Sequence, residues 1–304
     1  ATTLVFPGIA ADWPRDLAAA LVGRPDVAAW VDDVVADLDR WTHTAEVRAL
    51  DKIDLQIDEG EFIAIMGPSG SGKSTLLRSI ARLLKPESGA VLLEGKDVNR
   101  MSSKDVAKKM GILPQSPVSP ECLTVHDLVK QGRYPHQSWL KRWSEEDTAK
   151  VEAAMEATNI SDLRDQAVDT LSGSQRQRAW IAMTLAQDTD FILLDEPTTY
   201  LDMTHQIEIL DLLFELNEKK NRTIVMVLHD INLASRYAHN IVAIKDGEVH
   251  AQGKPEEIVT CDLVRSVFGM ECQVSKDPMF GTPHCIPFGR GRCVLPELLA
   301  SAGA

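Results

Sequence analysis

Gly67-Pro68-Ser69-Gly70-Ser71-Gly72-Lys73-Ser74-Thr75 satisfies the pattern G-x-x-x-x-G-K-[ST] without a mismatch. A glycine-rich turn can aim successive backbone N–H groups into one hollow, and a helix that begins there adds the positive end of its dipole. Phosphates bind in such a hollow. Lys73 is then placed to reach the β- and γ-phosphates, and the Ser74 hydroxyl to hold Mg²⁺. Farther along, Phe191-Ile192-Leu193-Leu194-Asp195-Glu196 is an apolar run that ends in two acids. A buried strand delivers its last residues to the ligand edge of a parallel sheet. That places Asp195 in the Mg²⁺ shell and Glu196 where it can polarise an attacking water. Leu171-Ser172-Gly173-Ser174-Gln175-Arg176-Gln177-Arg178 opens a helix. Ser172 is a good N-cap, and the short residues after it leave N–H groups open to an anion.

These residues need elements to position them. Glu61 to Met66 reads as a strand entering the glycine turn, and Thr75 to Leu84 as the helix leaving it. Met110 to Gln115 reads as a strand ending in a polar residue. From residue 191 onward strands and helices alternate: Phe191 to Leu194, His205 to Asn217, Thr223 to Leu228, Ile231 to Ala238 and Ile241 to Lys245. Alternation of this kind predicts a parallel sheet covered on both faces. Between the two halves lies a helix-rich section, with helices expected over Val125 to Gln131, Ser144 to Thr158 and Ser174 to Gln187. Ser144-Glu145-Glu146-Asp147 loads one of those helix starts with acid, as the dipole prefers. Val47 to Ile57 and Ala90 to Glu94 read as further strands. Asp246-Gly247 is a hairpin turn signal.

Composition narrows the function. The chain has 304 residues, 44% hydrophobic and 25% charged, in the range of soluble globular proteins. The net charge of −13, from 45 acids against 32 bases, argues against a nucleic-acid partner, which calls for a basic face. No apolar run approaches the ~20 residues of a membrane span, and the start carries no basic-then-apolar leader. The expected location is therefore the cytosol, or a membrane surface where other chains hold it. Cys122, Cys261, Cys272, Cys285 and Cys293 form no C-x-x-C pair and read as reduced thiols. Together with His284 they match no metal-site spacing.

Three regions are expected. Residues 1 to about 45 hold no lysine and carry Val27, Trp30, Val31, Val34, Val35, Leu38 and Trp41 at helical spacing. They predict a helical extension of unassigned role, opened at Pro25-Asp26. Residues 46–270 hold the phosphate chemistry, with a helical subdomain at about 116–180. Residues 271–304, rich in Pro, Gly and Cys, predict an irregular tail.

In this order and spacing, the motifs resemble those of ATP-binding-cassette (ABC) ATPases. Ser172-Gly173-Ser174-Gln175 resembles the signature segment, with Ser174 where the family carries a second glycine. Gln115 matches the glutamine of the loop between nucleotide and permease. Thr199-Tyr200-Leu201-Asp202 matches the loop after the acidic strand, and His229 matches the switch histidine that contacts the γ-phosphate. The resemblance implies an α/β fold of the P-loop NTPase class: a mostly parallel core, an antiparallel β subdomain and an inserted helical subdomain. It implies ATP and Mg²⁺ as cofactors, with Lys73, Gln115, Glu196 and His229 as the catalytic set and Ser74, Gln115 and Asp195 around the metal. It also implies that a second copy lends its Ser172 segment to each ATP. The aromatic residue that usually stacks on adenine is missing at Thr44, with Trp41 and His43 as nearby substitutes.

Gly132-Arg133-Tyr134-Pro135-His136, Ala179-Trp180-Ile181-Ala182-Met183 and Gly281-Thr282-Pro283 resemble the branch that powers import of iron(III)-siderophore complexes. That branch implies a transmembrane permease as partner, a siderophore-binding protein acting indirectly, and a place on the cytoplasmic face of the cell membrane. The alternatives are another metal chelate such as haem or cobalamin, a non-transport ABC ATPase, or a regulatory nucleotide-binding module without turnover.

Overall fold

The computed structural model describes residues 2–7, 49–115, 117, 122–137 and 143–289. In chain order the elements are β1 (Thr2–Pro7), β2 (Asp51–Ile57), β3 (Phe62–Met66), α1 (Lys73–Ile80), β4 (Ala90–Leu93), β5 (Lys96–Asp97), α2 (Ser103–Lys109) and β6 (Met110–Leu113). The helical section holds α3 (Val125–Gln131), α4 (Glu145–Ala157) and α5 (Gly173–Ala186). The second half holds β7 (Phe191–Asp195), α6 (Met203–Lys220), β8 (Thr223–Val227), α7 (Ile231–Tyr237), β9 (Asn240–Lys245) and β10 (Glu248–Gly253). It ends with α8 (Pro255–Ile258), α9 (Cys261–Phe268), β11 (Cys272–Lys276) and β12 (Pro283–Pro287).

The central sheet runs β10-β9-β3-β8-β7-β6. Its strands are parallel except β10, which folds back on β9 through the Asp246-Gly247 turn. Every residue of β3, β7 and β8 is buried, so these strands read as unbroken apolar runs. Alternate side chains serve opposite faces. Phe62, Ala64 and Met66 join a core built with α3, α4, α5 and α6, while Ile63 and Ile65 join one built with α1, β2 and β4. A second sheet, β2-β1-β4-β5, is antiparallel throughout and lies on the α1 side. This is the α/β architecture expected from the strand and helix pattern.

Helices α3 and α4 pack on α5 as a separate layer. Inside it Arg133 and Asp147, with side chains 3% and 1% exposed, pair at 2.9 Å. Asp147 also accepts from the Ser144 and Gln137 side chains and closes the capping box of α4. Burial works to raise the Asp147 carboxyl. The hydrogen bonds from Ser144, Arg133 and Gln137 outweigh it and hold the group below the usual carboxylate range.

Two boundaries differ from the expected ones. Thr2–Pro7, placed by pattern in a helical extension, form a strand between β2 and β4. Their β-branched residues suit a ladder, and two waiting strand edges supply it. The helical stripe expected over residues 27–41 lies outside the described residues. The segment after residue 270 is not irregular up to Gly289: β11 and β12 pair as an antiparallel hairpin. That hairpin is clamped to α7, where Asn232 donates to the Cys285 carbonyl at 3.1 Å and accepts from its N–H at 2.7 Å. Arg236 adds an ion pair with Asp277 at 3.0 Å. Tertiary partners, not local pattern, order this segment.

Candidate functional site

Four parallel strands end on one edge of the sheet. β3 leads into residues 67–72, β6 into Gln115, β7 into Asp195 and Glu196, and β8 into His229. Between these ends opens a cleft of about 470 Å³. Ser69, Gly70, Gly72, Lys73, Ser74, Thr75, Gln115, Glu196 and His229 line it. Gly67, Pro68 and Ser71 form the turn behind the lining.

Glycine is required at two places in that turn. Gly67 sits at φ +152°, and a Cβ there would stand 2.0 Å from the Ile244 carbonyl oxygen. Gly72 sits at φ +100° as the N-cap of α1, and a Cβ there would stand 2.6 Å from the Ala49 carbonyl oxygen. Any side chain at either position pushes into backbone.

Lys73 is 5% exposed and donates from Nζ to the carbonyls of Gly67 at 2.9 Å and Pro68 at 2.7 Å. Burial lowers its pKa, while the negative charges of Glu196 and Asp195 counter that effect. The ammonium is thus held inside the loop, next to where phosphate oxygens would sit. The Ser74 hydroxyl donates to Asp195 Oδ1 at 2.9 Å. Asp195 is fully buried, and burial raises its pKa against the Ser74 hydrogen bond. Its Oδ2 has no hydrogen-bond partner. A buried carboxylate oxygen without a partner is costly. A divalent cation at that spot would satisfy it, with the Ser74 hydroxyl and the Gln115 side chain as further oxygen donors, the chemistry Mg²⁺ prefers. Among the described residues no group of three or more His, Cys, Asp or Glu could hold a metal. An Mg²⁺ here would therefore depend on phosphate and water oxygens for the rest of its shell.

Glu196 leaves the strand in a left-handed conformation, φ +55°. The turn aims its carboxylate into the cleft. Oε1 stands 2.8 Å from His229 Nε2, and Oε2 accepts from the Thr199 hydroxyl at 3.3 Å. One carboxylate and one half-exposed imidazole thus face the cleft as a coupled pair.

Ser172, Gly173, Ser174 and Gln175 stand outside this cleft. Ser172 caps α5: its hydroxyl accepts from the Gln175 N–H, and the Gln175 side chain accepts from the Ser172 N–H. The Ser174 hydroxyl lies 3.3 Å from that of Ser172. Ser172 and Gly173 are exposed.

Three lining residues escaped the sequence reading: Ala49, Asp246 and Gly247. The Gly247 N–H donates to the Ser71 carbonyl at 3.2 Å, and the Asp51 N–H donates to the Gly247 carbonyl at 2.9 Å. Asp246-Gly247 was visible as a turn, but its approach to the phosphate loop is set by the pairing of β3 with β9. Thr44, Trp41 and His43, weighed against adenine, lie outside the described residues. Away from the cleft, Cys272 and Cys285 are buried together with Cys261 packed against them. Burial, with Cys285 beside it, pushes the Cys272 thiol up to about 12, the state of an unreactive structural cysteine.

Comparison with known proteins agrees with this geometry. Residues 50–199 match the family described as ABC transporter. The chain is 66% identical over 248 residues to the probable siderophore transport system ATP-binding protein YusV of Bacillus subtilis (strain 168), covering 82% of this chain and 90% of that one. It is 51% identical to the ferric enterobactin transport ATP-binding protein FepC of Escherichia coli (strain K12), covering 79% and 89%. Among solved structures, an inward-facing putative metal-chelate type ABC transporter superposes with a TM-score of 0.69 at 26% identity, covering 80% of this chain and 93% of that one. With the phosphate loop, the acid-ended strand and the histidine meeting at one cleft, the chain belongs to the ABC transporter family, as one of its ATPases.

Proposed function

We propose that this chain is the ATP-hydrolysing subunit of an importer for iron(III)-siderophore complexes. It acts as two copies docked on the cytoplasmic face of a membrane permease, which a siderophore-binding protein supplies from the other side. The substrate class is supported by the two relatives above, whose names specify siderophore and ferric enterobactin transport. Among the described residues no helix is long and apolar enough to cross a membrane, which fits a subunit that borrows its membrane path from a partner.

One observation carries the mechanism. The cleft gathers Lys73, Ser74, Gln115, Glu196 and His229, while the Ser172–Gln175 segment faces outward from the same molecule. A site built this way is complete when a second copy presents its own Ser172 segment to the bound triphosphate. Backbone N–H groups of the loop and Lys73 hold the phosphates. Glu196 orients and polarises the attacking water, and His229 steadies the γ-phosphate beside it. Ser74, Asp195 and Gln115 would hold a magnesium ion, which when bound would supply positive charge to offset that of the transferring phosphoryl group.

The test is the Glu196→Gln variant given ATP and Mg²⁺. It retains ATP, pairs into a stable dimer in sedimentation, and turns over about 100-fold or more slowly than the native chain. A variant that stays monomeric, or one with near-normal turnover, removes this reading. Loss of radiolabelled iron-chelate uptake in cells carrying Lys73→Ala tests the substrate class.

A further inference from the structure

Helix α5 joins the two halves of the proposed site from behind. Its first turn presents Ser172–Gln175 to the outside. One turn farther in, Gln177 is 6% exposed and donates from Nε2 to the Pro197 carbonyl at 3.0 Å. Pro197 directly follows Glu196, whose backbone holds the left-handed φ of +55°. A non-glycine residue keeps that conformation only where its surroundings impose it. The internal bonds of the turn are long: Thr199 N–H to the Glu196 carbonyl at 3.2 Å and the Thr199 hydroxyl to Glu196 Oε2 at 3.3 Å. The same helix touches the far end of the loop, where a Cβ on Gly173 would lie 3.6 Å from the Cβ of Tyr200. Packing does not require an amide at Gln177. The next buried residues of the helix are Arg178, which donates to the Asn159 carbonyl at 3.0 Å and so serves a different loop, and then Ala179, Trp180, Ile181 and Ala182, which pack in the apolar core. A buried amide is retained where its hydrogen bond has a use.

We infer that Gln177 is a positioning residue for Glu196: its bond to Pro197 fixes the turn that aims the water-orienting carboxylate, and ties that turn to the helix bearing Ser172–Gln175. Closure of a second copy on the first turn of α5 is then felt at Glu196 of the same chain. This rests on the proposed role of Glu196.

The test uses the full chain with Gln177→Met, which keeps length and removes the donor. kcat falls about 10- to 100-fold, the scale on which small misplacements act. KM, nucleotide affinity of the resting protein, and ATP-driven pairing in the Glu196→Gln background all stay within about twofold. Thr184→Val, which removes another buried hydrogen bond of α5, from Thr184 to the Trp180 carbonyl, lowers Tm without lowering kcat. Gln177→Glu keeps the shape and regains a donor when protonated, so its kcat rises relative to the native chain as pH falls. The inference is overturned by an unchanged kcat in Gln177→Met, by parallel losses in kcat and affinity, by an equal kcat loss in Thr184→Val, or by a Gln177→Glu profile that tracks the native one. Normal turnover in Glu196→Gln would instead sink the functional reading itself.

Discussion

Ser74 shows how much one hydroxyl decides in a buried site. It makes a single hydrogen bond, to Asp195 Oδ1, and Asp195 Oδ2 has none. Ser74→Ala would leave a fully buried carboxylate without a partner, at a cost of about 1–3 kcal/mol. The expected outcome is selective: ATP affinity measured by calorimetry in the presence of Mg²⁺ falls at least about tenfold, and affinity in its absence changes little. Equal losses under both conditions would mean that Ser74 acts through the loop backbone. The residue types of the cleft were legible in the sequence because the phosphate loop, the paired acids and the histidine each sit at the end of an apolar run. Asp246 and Gly247 were not, because a turn signal says nothing of what the turn lies against.

Among the elements, α4 carries the clearest lesson. Three acids at its start look like a dipole effect, and the structure adds a capping box between Ser144 and Asp147. Only the fold turns Asp147 inward to meet Arg133, a residue from a different helical segment. Asp147→Asn would strand a buried guanidinium at a cost of about 3–5 kcal/mol. Tm is then expected to drop by on the order of 10 °C. The pH dependence has a definite sign. The native carboxyl titrates below its unfolded value, so the pair contributes fully above about pH 4 and its contribution is lost as pH falls below that value. From pH 7 to about 4 the Tm gap between the native chain and the variant should hold, and below about pH 4 it should narrow as the native chain loses the pair. The β11–β12 hairpin makes the same point: its strands are short and carry Pro and Cys, and it is the Asn232 and Arg236 clamps that give them an address.

For the whole molecule, the proposed function turns on two separate segments of one chain: the cleft at Lys73 and the exposed Ser172–Gln175 turn that stands outside it. Mixing provides the expected outcome. A chain with Lys73→Ala lacks the phosphate half, and a chain with Ser172→Arg lacks the outward half. Neither should pair with itself in ATP and Mg²⁺ when Glu196→Gln is also present. Mixed together, they form one intact composite site per pair, and sedimentation should show ATP-dependent heterodimers. Absence of mixed pairs would mean that both halves serve the same chain.

Sequence by itself determined the chemistry and the class of fold, because phosphate binding needs glycine, lysine and hydroxyl at fixed spacing and a buried parallel strand needs an unbroken apolar run. Tertiary structure alone decided that the strand ends converge on one cleft, that Asp195 keeps an oxygen without a partner, and that Gln177 grips the turn bearing Glu196. Those facts depend on contacts between residues far apart in the chain, and periodicity records only which face a residue takes, not which neighbour it meets there.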